Sequence, residues 1–234
     1  MRTKLSVNIN KIALIRNARD GNLPDLVKFA QDCERYGAHG ITVHPRPDQR
    51  HIRYEDLYEL KEANTTELNI EGYPSEVFLN HVIQVKPAQC TLVPDPPGVL
   101  TSDRGWNISE EKSLLLPVIA RLQEAGIRVS LFVDALSEMI DGAKEVGADR
   151  IELYTGDYAK SPDKEIAAHV LCAQRAKEIG LGINAGHDLN LQNLRFYAQS
   201  LPYLDEVSIG HALVSDALYY GISNTIGMYI RLLS

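Results

Sequence analysis

Residues able to move protons near neutral pH are unevenly spread along this sequence. Of its seven histidines, four (His44, His51, His187 and His211) fall just past short apolar runs, and Glu71 closes another such run. Asn8, Asn10 and Lys11 cluster at the end of the first run, and Arg46 follows His44 by two positions. Imidazoles and a carboxyl in a desolvated place suit acid–base catalysis, because their protonation can be tuned to the working pH. Glu71 is the sharpest single case. An ionised carboxylate ending an otherwise apolar run is costly to bury unless it is paired or put to use; a structural Glu–Arg pair is the alternative. His39, His81 and His169 precede a run or lie in helical segments and are expected to be structural.

The same residue types could hold a divalent metal. No His-x-His occurs, and Asp134 is the one further carboxylate ending a run, so metal-free acid–base chemistry is expected. Gly186 and Gly210, each expected to precede a helix, allow a ligand close to the backbone at helix N-termini, a phosphate-binding device. Glycine also stands there for turn reasons alone. Arg19 and Arg46 can add bidentate contacts to a phosphate. A small phosphorylated substrate is therefore expected.

These side chains need a scaffold that brings distant segments together. Eight β-type runs recur, at 5–9, 40–44, 67–71, 89–93, 128–133, 150–154, 181–185 and 206–210, separated mostly by segments of helical period. Leu26, Phe29, Ala30 and Cys33 show that period, as do Ile140, Ala143 and Val146. Ser161-Pro162 reads as an N-cap followed by a first-turn proline. Leu218, Ile222, Ile226, Tyr229 and Leu233 form one stripe on an expected last helix. Gly37, Gly126, Gly147 and Gly180 each fall at a helix end just before a run. Repetition of this stop-and-start device implies a repeated βα unit. Eight such units in 234 residues fit a single (β/α)8 TIM barrel with extra helices, spanning 1–234 as one domain. A proline-rich loop follows the fourth run, and Pro117 is expected to kink or restart the helix after it.

Composition bounds the rest. With 44% hydrophobic and 24% charged residues the chain is globular in type, and no apolar run approaches the ~20 residues of a membrane span. The N-terminus turns polar too early for a signal peptide. A net charge of −7 without a basic block argues against nucleic acid or a membrane as partner. Three scattered cysteines fit a reducing, cytoplasmic setting.

The motifs carry a resemblance. Residues 6–13, 16–19 and 40–52, followed by 69–71, 92–94, 129–134, 152–156, 184–187 and 208–212, resemble the pyridoxine 5′-phosphate synthase family in order and without large gaps. The resemblance implies a cytoplasmic (β/α)8 barrel forming homo-oligomers, typically octamers built from dimers. It also implies condensation of 1-deoxy-D-xylulose 5-phosphate with 3-amino-2-oxopropyl phosphate to pyridoxine 5′-phosphate, phosphate and water, with no metal or organic cofactor. Carried onto this chain, His44 and Glu71 act as proton acceptors and His187 as proton donor. Arg46, His51 and Thr101 bind the deoxyxylulose phosphate; Asn8, Arg19, Gly210 and His211 hold the aminoketone phosphate. Two positions depart from the family pattern. Asn10-Lys11 stands where Asp-His is frequent, and Asp188 where glycine is usual. Lys11 is expected to add a phosphate contact. Asp188 is expected to contact substrate through its backbone, its carboxylate turned away as a helix cap.

Two other functions compete. A Schiff-base aldolase needs a strand-end lysine, which only Lys11 offers, since Asp134 and Thr155-Gly156 end the fifth and sixth runs. A non-catalytic phosphate sensor needs no acid–base groups, and this chain keeps them all.

Overall fold

The computed structural model describes residues 3–95 and 102–234. Parallel strands β1 (Lys4–Asn8), β2 (Gly40–Val43), β3 (Glu67–Gly72), β4 (Gln89–Leu92), β5 (Arg128–Val133), β6 (Arg150–Tyr154), β7 (Gly182–Gly186) and β8 (Glu206–Ile209) close into a barrel in chain order. The ring is sealed where Leu5 of β1 pairs in register with Val207 of β8. No bound differs from the expected runs by more than one residue. The fold is the expected TIM barrel with surrounding helices.

The helices are α1 (Asn10–Asn17), α2 (Leu26–Arg35), α3 (Tyr54–Ala63), α4 (Glu76–Val85), α5 (Ile108–Glu124), α6 (Ser137–Glu145), α7 (Gly156–Lys160), α8 (Pro162–Glu178), α9 (Leu194–Ser200), α10 (His211–Tyr220) and α11 (Ile222–Leu232). Gly37, Gly126, Gly147 and Gly180, just past α2, α5, α6 and α8, all have positive φ, the left-handed turn that ends a helix and starts the next strand.

Side chains alternate across a strand, and here the alternation sorts two chemistries. Val7, Ile41, Ile70, Cys90, Leu131, Ile151, Ile183 and Val207 are buried in the apolar layer with helix residues such as Leu57, Leu122, Ile140 and Ala173. Their neighbours Ser6, Thr42, Asn69, Thr91, Ser130, Glu152, Asn184 and Ser208 are equally buried but polar. Within this set Thr42 Oγ1 meets Ser6 Oγ at 2.7 Å and Asn69 Nδ2 at 3.3 Å, and Thr91 Oγ1 donates to Asn69 Oδ1 at 3.0 Å. The N-terminal end is stitched by Glu67, which takes Lys4 at 3.1 Å and Arg128 at 2.5 Å. Hydrogen bonds thus join much of this set in place of the branched apolar side chains common inside such barrels, although the buried Ser130 hydroxyl makes none.

Three expectations need correction. α5 runs unbroken through Pro117, so the proline neither ends nor restarts it. The last stripe is split at Gly221, whose φ of +74° separates α10 from α11. Ile226 and Tyr229 are buried but Leu218 is 73% exposed, on the other helix. Pro162 does open α8, but the Ser161 hydroxyl does not cap it.

Candidate active site

A cleft of about 830 Å³ opens at the C-terminal ends of the strands. Asn8, Asn10, Lys11, His44, Arg46, His51, Glu71, His187, Asp188, Gly210 and His211 all line it, so the structure gathers eleven of the thirteen expected site residues. Thr101 lies outside the described residues. Arg19 is not in the cleft. α1 was not anticipated, and its ~12 Å of helix carries the chain away from Asn10 before Arg19 is reached, leaving Arg19 exposed.

Each side chain is held by its neighbours on the rim. Asn10 Oδ1 accepts the backbone N–H of His44 at 2.9 Å, and Asn8 Nδ2 lies 3.5 Å from Glu71 Oε2, so the end of β1 braces both proposed proton acceptors. The loop carrying His51 is clamped from behind. Asn17 Nδ2 and Arg16 donate to the His51 carbonyl at 2.7 and 3.2 Å, while Arg16 grips Asp56 through two bonds of 2.6 and 2.9 Å. Arg46 donates to the buried Asp95 at 3.0 Å, and Ser102 donates to the same carboxylate oxygen at 2.6 Å. Tyr154 packs edge-on against the His187 ring at 5.2 Å between centroids.

Two glycines stand where a side chain would crowd the site. A Cβ on Gly186 would stand 2.2 Å from Glu152 Oε1, and one on Gly210 would stand 3.0 Å from Asn8 Cβ. Gly210 leads straight into α10, as expected. Gly186 does not open a helix, because His187 and Asp188 both adopt left-handed backbone, at φ +82° and +60°, and α9 starts only at Leu194. Nor is Asp188 a helix cap. Its carboxylate sits 3.1 Å from His187 Nδ1.

Electrostatics separate the ionisable groups. Burial, reinforced by the negative charges of Glu152 and Asp95 and opposed by Arg46, pushes the Glu71 carboxyl well up. Burial, with Glu206 nearby, raises Glu152 to about 8. Burial drives the imidazoles the other way: His44 falls well below its usual value and His51 to about 4, each helped by Arg46. Burial thus favours the protonated form of the Glu71 and Glu152 carboxyls and the neutral form of the His44 and His51 imidazoles. Lys11, Arg46, Arg50 and Lys160 on the lining supply local positive charge to a chain whose net charge is −7.

Glu152 is the main residue that sequence reasoning missed. Its signal was present, since it alternates with Ile151 and Leu153 as Glu71 does with Ile70, but the run reads as uniformly buried. Asp95 and Ser102 carried no motif. Asp134 ends β5, yet it lines a separate groove between α5 and α6 and accepts the Gly105 N–H at 3.0 Å. His39, His81 and His169 lie elsewhere: His39 accepts the Leu5 N–H, His81 stacks on Tyr54, and His169 meets Tyr197 in the core. Among the described residues no three His, Cys, Asp or Glu gather as a metal-binding group, and no helix is long and apolar enough to cross a membrane.

A closed parallel barrel with acids, bases and cations gathered at its C-terminal mouth has the layout of a TIM-barrel enzyme. The particular family follows from comparison: the chain belongs to the family described as pyridoxal phosphate biosynthesis protein PdxJ, whose model matches residues 5–234. The chain is 58% identical over 233 residues to pyridoxine 5′-phosphate synthase of Cytophaga hutchinsonii, covering 98% of each chain. It is 55% identical over 231 residues to the enzyme of that name from Parabacteroides distasonis, covering 97% of each. Among solved structures, tryptophan synthase subunit alpha from Legionella pneumophila shares the fold at a TM-score of 0.68 and 14% identity, over 99% of this chain and 92% of that one.

Proposed function

We propose that this chain is a pyridoxine 5′-phosphate synthase that condenses 1-deoxy-D-xylulose 5-phosphate with 3-amino-2-oxopropyl phosphate. The products are pyridoxine 5′-phosphate, inorganic phosphate and water, and the chemistry is metal-free acid–base catalysis of a transferase-type ring closure. One observation carries the reading: His44, Glu71 and His187, from the ends of β2, β3 and β7, line a single cleft.

The reaction passes through imine formation, enol formation, loss of phosphate and water, and ring closure. Each step moves a proton at carbon, nitrogen or oxygen, and groups of shifted pKa placed side by side perform such transfers best. His44, neutral at working pH, takes the first proton. Glu71 accepts a further proton, its carboxyl pushed well up by burial. His187 supplies the proton that lets oxygen leave as water. Glu152, buried beside Gly186, adds a second carboxyl to the lining and stabilises positive charge developing on the condensing nitrogen once ionised.

The two phosphates divide the cleft. Arg46 and His51 hold the deoxyxylulose phosphate together with Thr101. Asn8, Asn10, Lys11 and the Gly210-His211 turn at the start of α10 hold the aminoketone phosphate, with Asp188 at its edge. Lys11 offsets the loss of the frequent Asp-His pair by adding a cation. Arg19, exposed beyond α1, has no place in this arrangement as the chain stands. The enzyme acts in the cytoplasm as a homo-oligomer on small phosphorylated molecules.

Mixing the two phosphate substrates with the protein and following absorbance of the growing pyridine ring tests the reading. Ring formation together with phosphate release supports it. No product from both substrates at saturating concentration contradicts it. Borohydride trapping of Lys11 with a ketose phosphate would instead favour an aldolase.

A further inference from the structure

The imidazole of His51 is held by the peptide group that follows it. The Ile52 N–H donates to His51 Nδ1 at 2.9 Å. In a trans peptide the carbonyl points opposite to the N–H, and here that carbonyl, the oxygen of His51, is gripped from α1. Asn17 Nδ2 donates to it at 2.7 Å and to the Arg50 carbonyl at 3.2 Å, and Arg16 adds a bond of 3.2 Å. The other end of the Asn17 amide is equally fixed, because its Oδ1 accepts Arg16 Nε at 3.1 Å and Arg53 Nη2 at 2.9 Å. Carbonyls only accept and guanidinium groups only donate, so all four partners agree on one orientation of the amide.

His51 lines the cleft, whereas Asn17 stands behind it. The two are joined by a short rigid path: amide, carbonyl, peptide plane, N–H, imidazole. Nδ1 can accept only while the ring is neutral, and burial with the positive charge of Arg46 holds His51 at about 4. We propose that Asn17 is a positioning residue for His51, setting through the His51–Ile52 peptide where the imidazole stands in the cleft. The role rests on His51 holding the deoxyxylulose phosphate. The opposite end of α1 does the same for the proposed base, since Asn10 Oδ1 accepts the His44 N–H. One helix of ~12 Å therefore sets both ends of the loop from His44 to His51. The two ends divide the work: displacement at His44 costs rate, and displacement at His51 costs binding of one substrate.

Arg16 is a poor probe, because its removal strands the buried Asp56 that it grips at 2.6 and 2.9 Å. The test uses Asn17→Asp and Asn17→Ala, with His51→Ala as reference, in thermal melts and steady-state assays of both phosphate substrates. Asn17→Asp keeps the acceptor for both arginines, and so the fold, but can no longer donate to either carbonyl. In both variants KM for the deoxyxylulose phosphate is expected to rise about fivefold or more. The kcat and the KM for the aminoketone phosphate are expected to stay within about twofold, the mark of lost binding without lost chemistry. An unchanged KM, an equal rise for both substrates, or a fall in kcat in place of the rise in KM overturns the proposal. So does a rise confined to Asn17→Asp, which its added charge would explain. An unaltered KM in His51→Ala contradicts the binding role of His51 and the inference with it. A raised KM in His51→Ala beside unaltered Asn17 variants contradicts the inference alone.

Discussion

The carboxamide of Asn10 accepts the backbone N–H of His44 at 2.9 Å, joining the start of α1 to the end of β2 across the barrel mouth. This single bond fixes where the first proposed base stands, because His44 has just left the ladder of β2, which ends at Val43.

Asn10→Ala removes that acceptor and frees the His44 backbone. Loss of one such bond costs about 1 kcal/mol of stability. The larger expected effect is on rate, since small misplacements of a base slow proton transfer: kcat is expected to fall about tenfold with thermal stability nearly kept. Thermal melts alongside steady-state kinetics check this.

Arg46 and Asp95 form a buried ion pair at 3.0 Å, their side chains 9% and 3% exposed. Asp95→Ala takes this carboxylate away from a buried guanidinium and is expected to destabilise the fold by roughly 3–5 kcal/mol. Arg46→Lys keeps the charge but loses the planar fork. It is expected to raise KM for the deoxyxylulose phosphate while leaving the protein folded. Urea unfolding of the first variant and kinetics of the second measure the two effects.

Glu152 titrates at about 8 and Glu206 at about 7, against 4.5 for a free glutamate, chiefly because both are buried. The folded chain therefore keeps protons that the unfolded chain releases above pH 4.5. The stability these groups contribute is complete below that pH and is lost as pH rises through 7 and 8. Glu152→Gln, neutral at every pH, is expected to flatten the decline in melting temperature between pH 5 and 8. Parallel curves for the two proteins over that range contradict the assignment.

Gly186→Ala is expected to disable the enzyme without touching a proton-transfer group. The added methyl meets Glu152 Oε1 at 2.2 Å and must displace the carboxyl or the strand. A fall of at least tenfold in kcat with a modest loss in melting temperature is the expected outcome, read by the same assay and a thermal melt.

Much of the barrel was legible because each strand is a short apolar run bounded by a glycine-terminated helix. The positive φ at Gly37, Gly126, Gly147 and Gly180 is that punctuation in physical form. α1 was not legible, since Ile12, Ala13, Leu14 and Ile15 are four consecutive apolar residues that show no helical period. Missing α1 is also why Arg19 was placed at the mouth. α7 is five residues long, too short to show a period. Most of the site residues were legible because they stand at strand ends. Glu152 was not, because it sits one residue pair deeper, inside a run whose inward face is polar. The Asp188–His187 contact depends on two left-handed residues in succession, which no spacing rule announces.

If Glu71 moves protons in this cleft and does not merely help to build it, its titrating group is needed for turnover. Glu71→Gln preserves shape and hydrogen-bonding capacity while removing the titrating group, so turnover and calorimetric binding of each phosphate substrate should be measured on the same preparation. Loss of turnover with substrate affinity largely kept is expected. A near-normal kcat in that variant would contradict a proton-moving role for Glu71.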